Sequence, residues 1–117
     1  MKTLQELQSL IATWAEEKNL LQFENALKQS FKTQEELDEM KAHIFMQSMG
    51  IVYYFNHKKN TEVNVSEAIK DDIGDQIVTL VIQCEIQGID LLECLNLAWN
   101  EIKYRTGKTV NGTFIKN

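Results

Sequence analysis

Proline is absent from all 117 residues of this chain, and that single omission narrows the folds open to it. Proline removes a backbone donor and breaks helices, so a chain without it can carry long uninterrupted ones. Only five glycines are present. A protein of many short strands needs glycine and proline to turn between them, so the missing punctuation favours helices. Hydrophobic residues make up 44% and charged residues 25%, near the averages of a globular chain, which excludes global disorder. The length suits one core, and residues 1–117 read as a single helical domain.

Thr3 and Glu6 form a capping box, and Leu4, Leu7, Leu10, Ile11 and Trp14 follow at helical spacing, so a first helix runs from Thr3 to about Glu17 and ends near Asn19. A second spans about Phe23 to Met46, with a possible break at Ser30, an inner stripe of Leu37, Met40 and Ile44, and Gly50 as its close. The run IVYYF, Ile51 to Phe55, has β-like composition but is short. It and the polar NHKKNTEVN after it read as a loop rather than a sheet. Asn64 or Ser66 caps a third helix, whose residues Ile69, Ile73, Ile77, Leu80, Val81 and Cys84 carry the strongest helical period; Gly88 stops it. Asp90 with Glu93 opens a fourth helix bearing Leu92, Leu95, Trp99 and Ile102, and Asn111 with Gly112 marks a turn in the tail. The expected fold is an all-α bundle of four to five helices.

The N-terminal residues lack the apolar run of a signal peptide, and no stretch approaches the roughly 18 apolar residues of a membrane span, so a cytoplasmic protein without membrane contact is expected. A net charge of −5 argues against nucleic acid as the main partner, because backbone phosphates demand a basic face. Cys84 and Cys94 lack a metal-ligand spacing and read as free thiols.

Chemistry is concentrated in acids. Residues three apart on a helix share a face, so Glu36 with Glu39, and Asp72 with Asp75, can each present two carboxylates to one point. Exposed acids at such intervals are common on solvated faces. Orientation separates them: relative to Leu37, Met40 and Ile44, Glu36 and Glu39 lie on the shoulder of the inward direction, while Glu35 and Asp38 point outward. Asp75 shares a strip with Val78 and Ile82 and is expected to be partly enclosed, yet no lysine or arginine follows Asp72 or Asp75 at helical spacing. If the pairs meet across a bundle, each carboxylate contact at about 6 Å costs roughly 3 kcal/mol at an effective dielectric near 20, which a divalent cation offsets. An all-oxygen set suits magnesium or manganese. His43 and His57 stand at the wrong spacings for a di-iron bundle and read as structural or exposed.

The segment KQSFKTQEELDEM (Lys28 to Met40), followed by Glu67 to Lys116 with its Gly74-Asp75 step, resembles the MazG-like, all-α nucleoside triphosphate pyrophosphohydrolase superfamily. The first helix resembles that family's too, so the likeness covers most of the chain. Asp72 stands where the family usually has glutamate, and a long insert containing IVYYF separates the acidic pairs. The resemblance implies cleavage of a nucleoside triphosphate between its α and β phosphates. It implies Glu39, Asp72 and Asp75 as magnesium ligands, with Glu36 as ligand or general base. By the same likeness Lys103 and Arg105, with Asn100, contact phosphate, the alternative being that the two basic residues only complement the dipole of the fourth helix; Lys32 is a phosphate ligand or an ion-pair partner of Glu36. Trp14 and Trp99 read as core packing.

Helix three carries two apolar strips, Ile69, Ile73, Ile77, Leu80 and Cys84 on one and Val78 and Ile82 on the other. One small bundle hardly covers both, so a homodimer or homotetramer is expected unless helix one, or the loop with Val52 and Tyr54, folds over the second strip. The rival function is a non-enzymatic helical oligomerisation or adaptor module, which needs nothing beyond amphipathic helices.

Overall fold

Two long antiparallel helices form the spine of the computed structural model, which describes residues 1–117. Helix α1 (Leu4–Glu17) starts where Thr3 accepts a hydrogen bond from the Glu6 amide at 3.1 Å, as the capping box requires. A short 3₁₀ turn, Phe23–Asn25, precedes α2 (Ala26–Ser48). The helix passes through Ser30 unbroken, because that hydroxyl bonds back to the Leu27 carbonyl at 2.6 Å instead of competing for the chain. Helix α3 (Val65–Gln87) is capped by Asn64, not Ser66, through the Glu67 amide at 3.0 Å. Gly88 closes it at φ 69°, a left-handed conformation glycine adopts without penalty. Asp90 caps α4 (Leu91–Ile102).

The expectation of a purely α-helical fold needs correction. Strands β1 (Tyr53–Asn56) and β2 (Thr61–Asn64) pair antiparallel between α2 and α3, and β3 (Gly107–Val110) and β4 (Thr113–Lys116) pair after α4. The protein is mainly helical with two small hairpins. In the first, β-favouring Tyr53, Tyr54, Phe55 and Val63 hold the ladder, while the Asn56 side chain accepts from the Lys58 and Lys59 amides and organises the turn. In the second, Asn111 (φ 51°) and Gly112 (φ 79°) make the two-residue turn whose twist suits a hairpin.

The α2–α3 seam is built from polar side chains. On α2, Gln29, Thr33, Glu36, Met40 and His43 recur at alternating spacings of four and three; on α3, Asp72, Gln76, Thr79 and Gln83 do the same. Gln29 donates to the Thr79 carbonyl at 3.2 Å, Thr33 to the Thr79 hydroxyl at 2.8 Å, and Gln83 to the Ala26 carbonyl at 2.8 Å. The Gln76 amide donates to the Met40 sulfur, and His43 meets Asp72 at 2.6 Å.

The apolar core is small and lies on the other side of α3. Ala15, Ile82 and Ile86 are buried together, with Ile11, Leu20, Leu21, Ala26 and Val78 packed around them. Helix α1 therefore covers the Val78–Ile82 strip within one chain. The strip with the stronger sequence period is left open over its middle: Ile73, Ile77 and Leu80 stay 47%, 41% and 43% exposed, while Val81 and Cys84 are buried. Trp14 and Trp99 are also exposed, against the expectation of core packing. Only nine of the 117 residues are buried. The accessible surface of 9076 Å² compares with about 6,600 Å² for a folded monomer of this mass. The radius of gyration, 17.2 Å, compares with about 13 Å for a compact domain of this length.

Because Ile82 is one of few fully enclosed aliphatic side chains, Ile82→Ala is expected to lower unfolding free energy by about 2–4 kcal/mol. Urea denaturation measures this. Ile77→Ala, on the open strip, should cost much less in the separated chain.

Candidate functional site

The seam brings Glu36 of α2 into the interior beside Lys32, one helical turn earlier. Glu36 is 8% exposed. Its Oε1 lies 3.5 Å from Lys32 Nζ, while its buried Oε2 has no hydrogen-bond partner. A buried carboxylate oxygen without a donor is costly, so this atom marks a place where a ligand or proton belongs. Burial, and then the nearby charge of Glu39, push the Glu36 carboxyl above its ordinary pKa, although Lys32 pulls the other way. Lys32 also reaches Glu35 at 3.4 Å; burial would lower its pKa, but the two glutamates outweigh it and raise it.

The acid pairs are placed differently from their expected faces. Asp72, 4% exposed, is the enclosed member of the α3 pair, whereas Asp75, expected to be partly buried, stands at the surface one turn on. Glu39 is exposed as well. The hydrophobic period misplaced both, because the strip facing α3 is polar. Asp75 nevertheless senses the group: desolvation, then the charges of Glu36, Asp71 and Asp72, raise its pKa. Glu35 and Asp38 face outward, as read from the helical wheel.

Asp72 is held from behind. Its Oδ2 lies 2.6 Å from His43 Nδ1, and His43 Nε2 lies 2.8 Å from the Tyr54 hydroxyl on β1. An ionised carboxylate only accepts, so Nδ1 donates to Asp72, and with the ring neutral Nε2 accepts from Tyr54. His43 is thus structural, as expected. Its link to Asp72 leaves no mark in the sequence, because the two residues lie 29 apart on different helices and meet only when α2 packs on α3.

Two cavities meet at the acids, and Asp75 lines both. One, about 490 Å³, runs between α1, α2 and α3, with Trp14, Val78 and Ile82 on its apolar side and Lys28, Lys32 and Glu36 on its polar side. The other, about 650 Å³, lies under the first hairpin and takes in Glu39, Asp72, Lys58 and Lys59. Asn100, Lys103 and Arg105 line neither. Arg105 pairs with Glu101 at 3.0 Å, and Lys103 lies over the Tyr104 ring at 4.9 Å. Within one chain the structure gathers Lys32, Glu36, Glu39, Asp72 and Asp75 and leaves the α4 residues apart.

No three His, Cys, Asp or Glu side chains converge closely enough, as they stand, to hold a metal ion. The acids share a field rather than a contact. Their chemistry still fits a hard cation: every donor is oxygen, one buried oxygen lacks a partner, and two carboxyls are raised by burial and then by neighbouring acids. The surface positions of Glu39 and Asp75 leave both side chains room to turn toward it.

No family model, curated protein or solved structure matches the chain.

A raised carboxyl pKa means that the folded chain keeps its proton where the unfolded chain has lost it. The associated stability is full below the unfolded value, 4.5 for Glu36, and falls as pH rises through the higher folded value. Glu36→Gln is therefore expected to flatten this fall and to make the chain more stable than wild type at neutral pH. Urea midpoints taken between about pH 4 and pH 8 check the sign.

Proposed function

We propose that this chain is a magnesium-dependent nucleoside triphosphate pyrophosphohydrolase, cleaving between the α and β phosphates to release the monophosphate and pyrophosphate. The observation that carries the reading is the antiparallel packing of α2 on α3, which sets Glu36, Glu39, Asp72 and Asp75 in one electrostatic field where two cavities meet. The resemblance to the MazG-like superfamily at the same four residues supports it.

Glu39, Asp72 and Asp75 would hold the metal, with His43 fixing the Asp72 carboxylate from behind. Bound magnesium supplies Lewis acidity at the phosphoryl oxygens and acidifies a water. Glu36 is the proton acceptor in this reading: it is buried, has a free oxygen, and its raised pKa brings it nearer the working pH. Water attacks the α phosphorus, its proton passes to Glu36, and the bond from that phosphorus to the bridging oxygen breaks as pyrophosphate leaves. Lys32, paired to Glu36 and lining the α1-side cavity, is available to phosphate. The α4 residues Asn100, Lys103 and Arg105 take no part within one chain.

The working unit in this reading is a homo-oligomer. On the order of 2,500 Å² of surface exceeds what a monomer of this mass exposes. A symmetric pair would bury that much from each chain, the scale of an obligate interface of about 2,000–5,000 Å². The open strip of α3 and the apolar face of α4, Leu92, Leu95, Trp99 and Ile102, are the surfaces offered. Sedimentation at micromolar concentration should give a stable multiple of 13.6 kDa; an active species at the chain mass would refute it.

The same open surface also suits the rival, a non-enzymatic oligomerisation module. Activity decides between them. Glu39→Gln and Asp75→Asn are each expected to lower magnesium-dependent turnover by at least about 100-fold, while outward-facing Glu35→Gln does little. Magnesium should raise the melting temperature of wild type. No hydrolysis of any nucleoside triphosphate and no magnesium shift would leave the adaptor reading.

A further inference from the structure

We propose that the β1–β2 hairpin is part of the nucleotide site, and that Lys58 and Lys59 on its turn bind the pyrophosphate end of the substrate. The inference rests on the pyrophosphohydrolase reading and extends it to a segment outside the four acids.

The cavity beneath the hairpin is lined by both signs of charge. Glu39, Glu67, Asp71, Asp72 and Asp75 come from the helices, Glu62 from β2, and Lys58 and Lys59 from the turn. Neither lysine forms an ion pair with the acids around it, and the hollow between turn and helices is about 650 Å³. A metal-bound polyphosphate satisfies both signs at once, with cation against the acids and outer phosphates against the lysines.

The lysines also sit on a built turn. Asn56 Oδ1 accepts from the amides of both, at 3.0 and 3.1 Å, and Asn60 at φ 53° turns the chain back into β2. The Tyr54 hydroxyl ties the hairpin through His43 to Asp72, and the Val65 amide donates to the Val52 carbonyl at its base. The turn's cations and the helices' anions therefore belong to one connected unit. Acids outnumber lysines around the hollow, so phosphate binding here requires the metal.

Calorimetric titration with inorganic pyrophosphate, with and without magnesium, tests this alongside nucleotide hydrolysis. Wild type should bind pyrophosphate only with magnesium. Lys58→Ala/Lys59→Ala should bind it about 100-fold more weakly, from two lost charge-assisted hydrogen bonds, with its response to magnesium alone unchanged. Its KM should rise more than its kcat falls. Both lysines are exposed, so the variant is expected to fold, as far-UV circular dichroism can verify. Equal pyrophosphate affinity in the double variant, in a protein that hydrolyses nucleotides, would overturn the proposal and leave these as surface lysines guarding a strand edge. A wild type that neither hydrolyses nucleotides nor binds magnesium pyrophosphate would overturn the enzyme reading and this proposal together.

Discussion

Pairing between buried polar groups along α2 and α3 is the constraint on which the rest of the structure depends. Helices usually meet through apolar stripes, and hydrophobic contact tolerates small shifts in register. Hydrogen bonds do not. Thr79 receives both Gln29 and Thr33, and Asp72 receives His43, so sliding one helix by a turn would orphan several buried groups at once. Such a seam contributes little net stability per bond but fixes one arrangement. The acids are held by the same arrangement. Glu36 is the one member of the seam with a buried oxygen left over, which makes the site an unfinished part of the interface.

Local signals in the sequence carried well into three dimensions. The capping box at Thr3, the stop at Gly88, the cap at Asp90 and the turn at Asn111-Gly112 all stand where residue chemistry puts them, since each depends only on near neighbours. The packing of the two helices that carry the 36/39 and 72/75 pairs was legible too, although the four carboxylates do not converge on one point. The facing of α2 was legible only in part. Apolar periodicity pointed to Leu37, Met40 and Ile44, yet Ile44 is 44% exposed and the contact strip runs through Glu36, Met40 and His43. A seam of glutamine, threonine and histidine is invisible to a method that counts apolar residues. That is why Glu39 and Asp75 proved exposed and Asp72 buried. The hairpins escaped for a different reason: four-residue strands are too short to show a period, and their stability comes from what they pack against.

The two strips of α3 show how tertiary context reassigns a sequence signal. The longer stripe through Ile73 and Ile77 looks like the core-facing one, but α1 is short and docks on Val78, Ile82 and Ile86 because Ala15 allows close approach there. Ile73, Ile77 and Leu80 of the stronger stripe remain in water. With so small an enclosed core, the separated chain has little hydrophobic burial to set against its conformational entropy.

The Tyr54–His43–Asp72 chain makes one imidazole answer to two neighbours. A neutral ring has a single N–H, and Asp72 claims it, so Nε2 can be satisfied only by the Tyr54 hydroxyl or by water. Lifting the hairpin removes that donor from a side chain only 13% exposed and strips the ring of the contact that fixes its orientation. Local opening of the hairpin and loosening of Asp72 are then one cooperative event rather than two. The hairpin thereby braces the α3 acid: with the Tyr54 hydroxyl against Nε2, the ring that meets Asp72 is fixed from both sides.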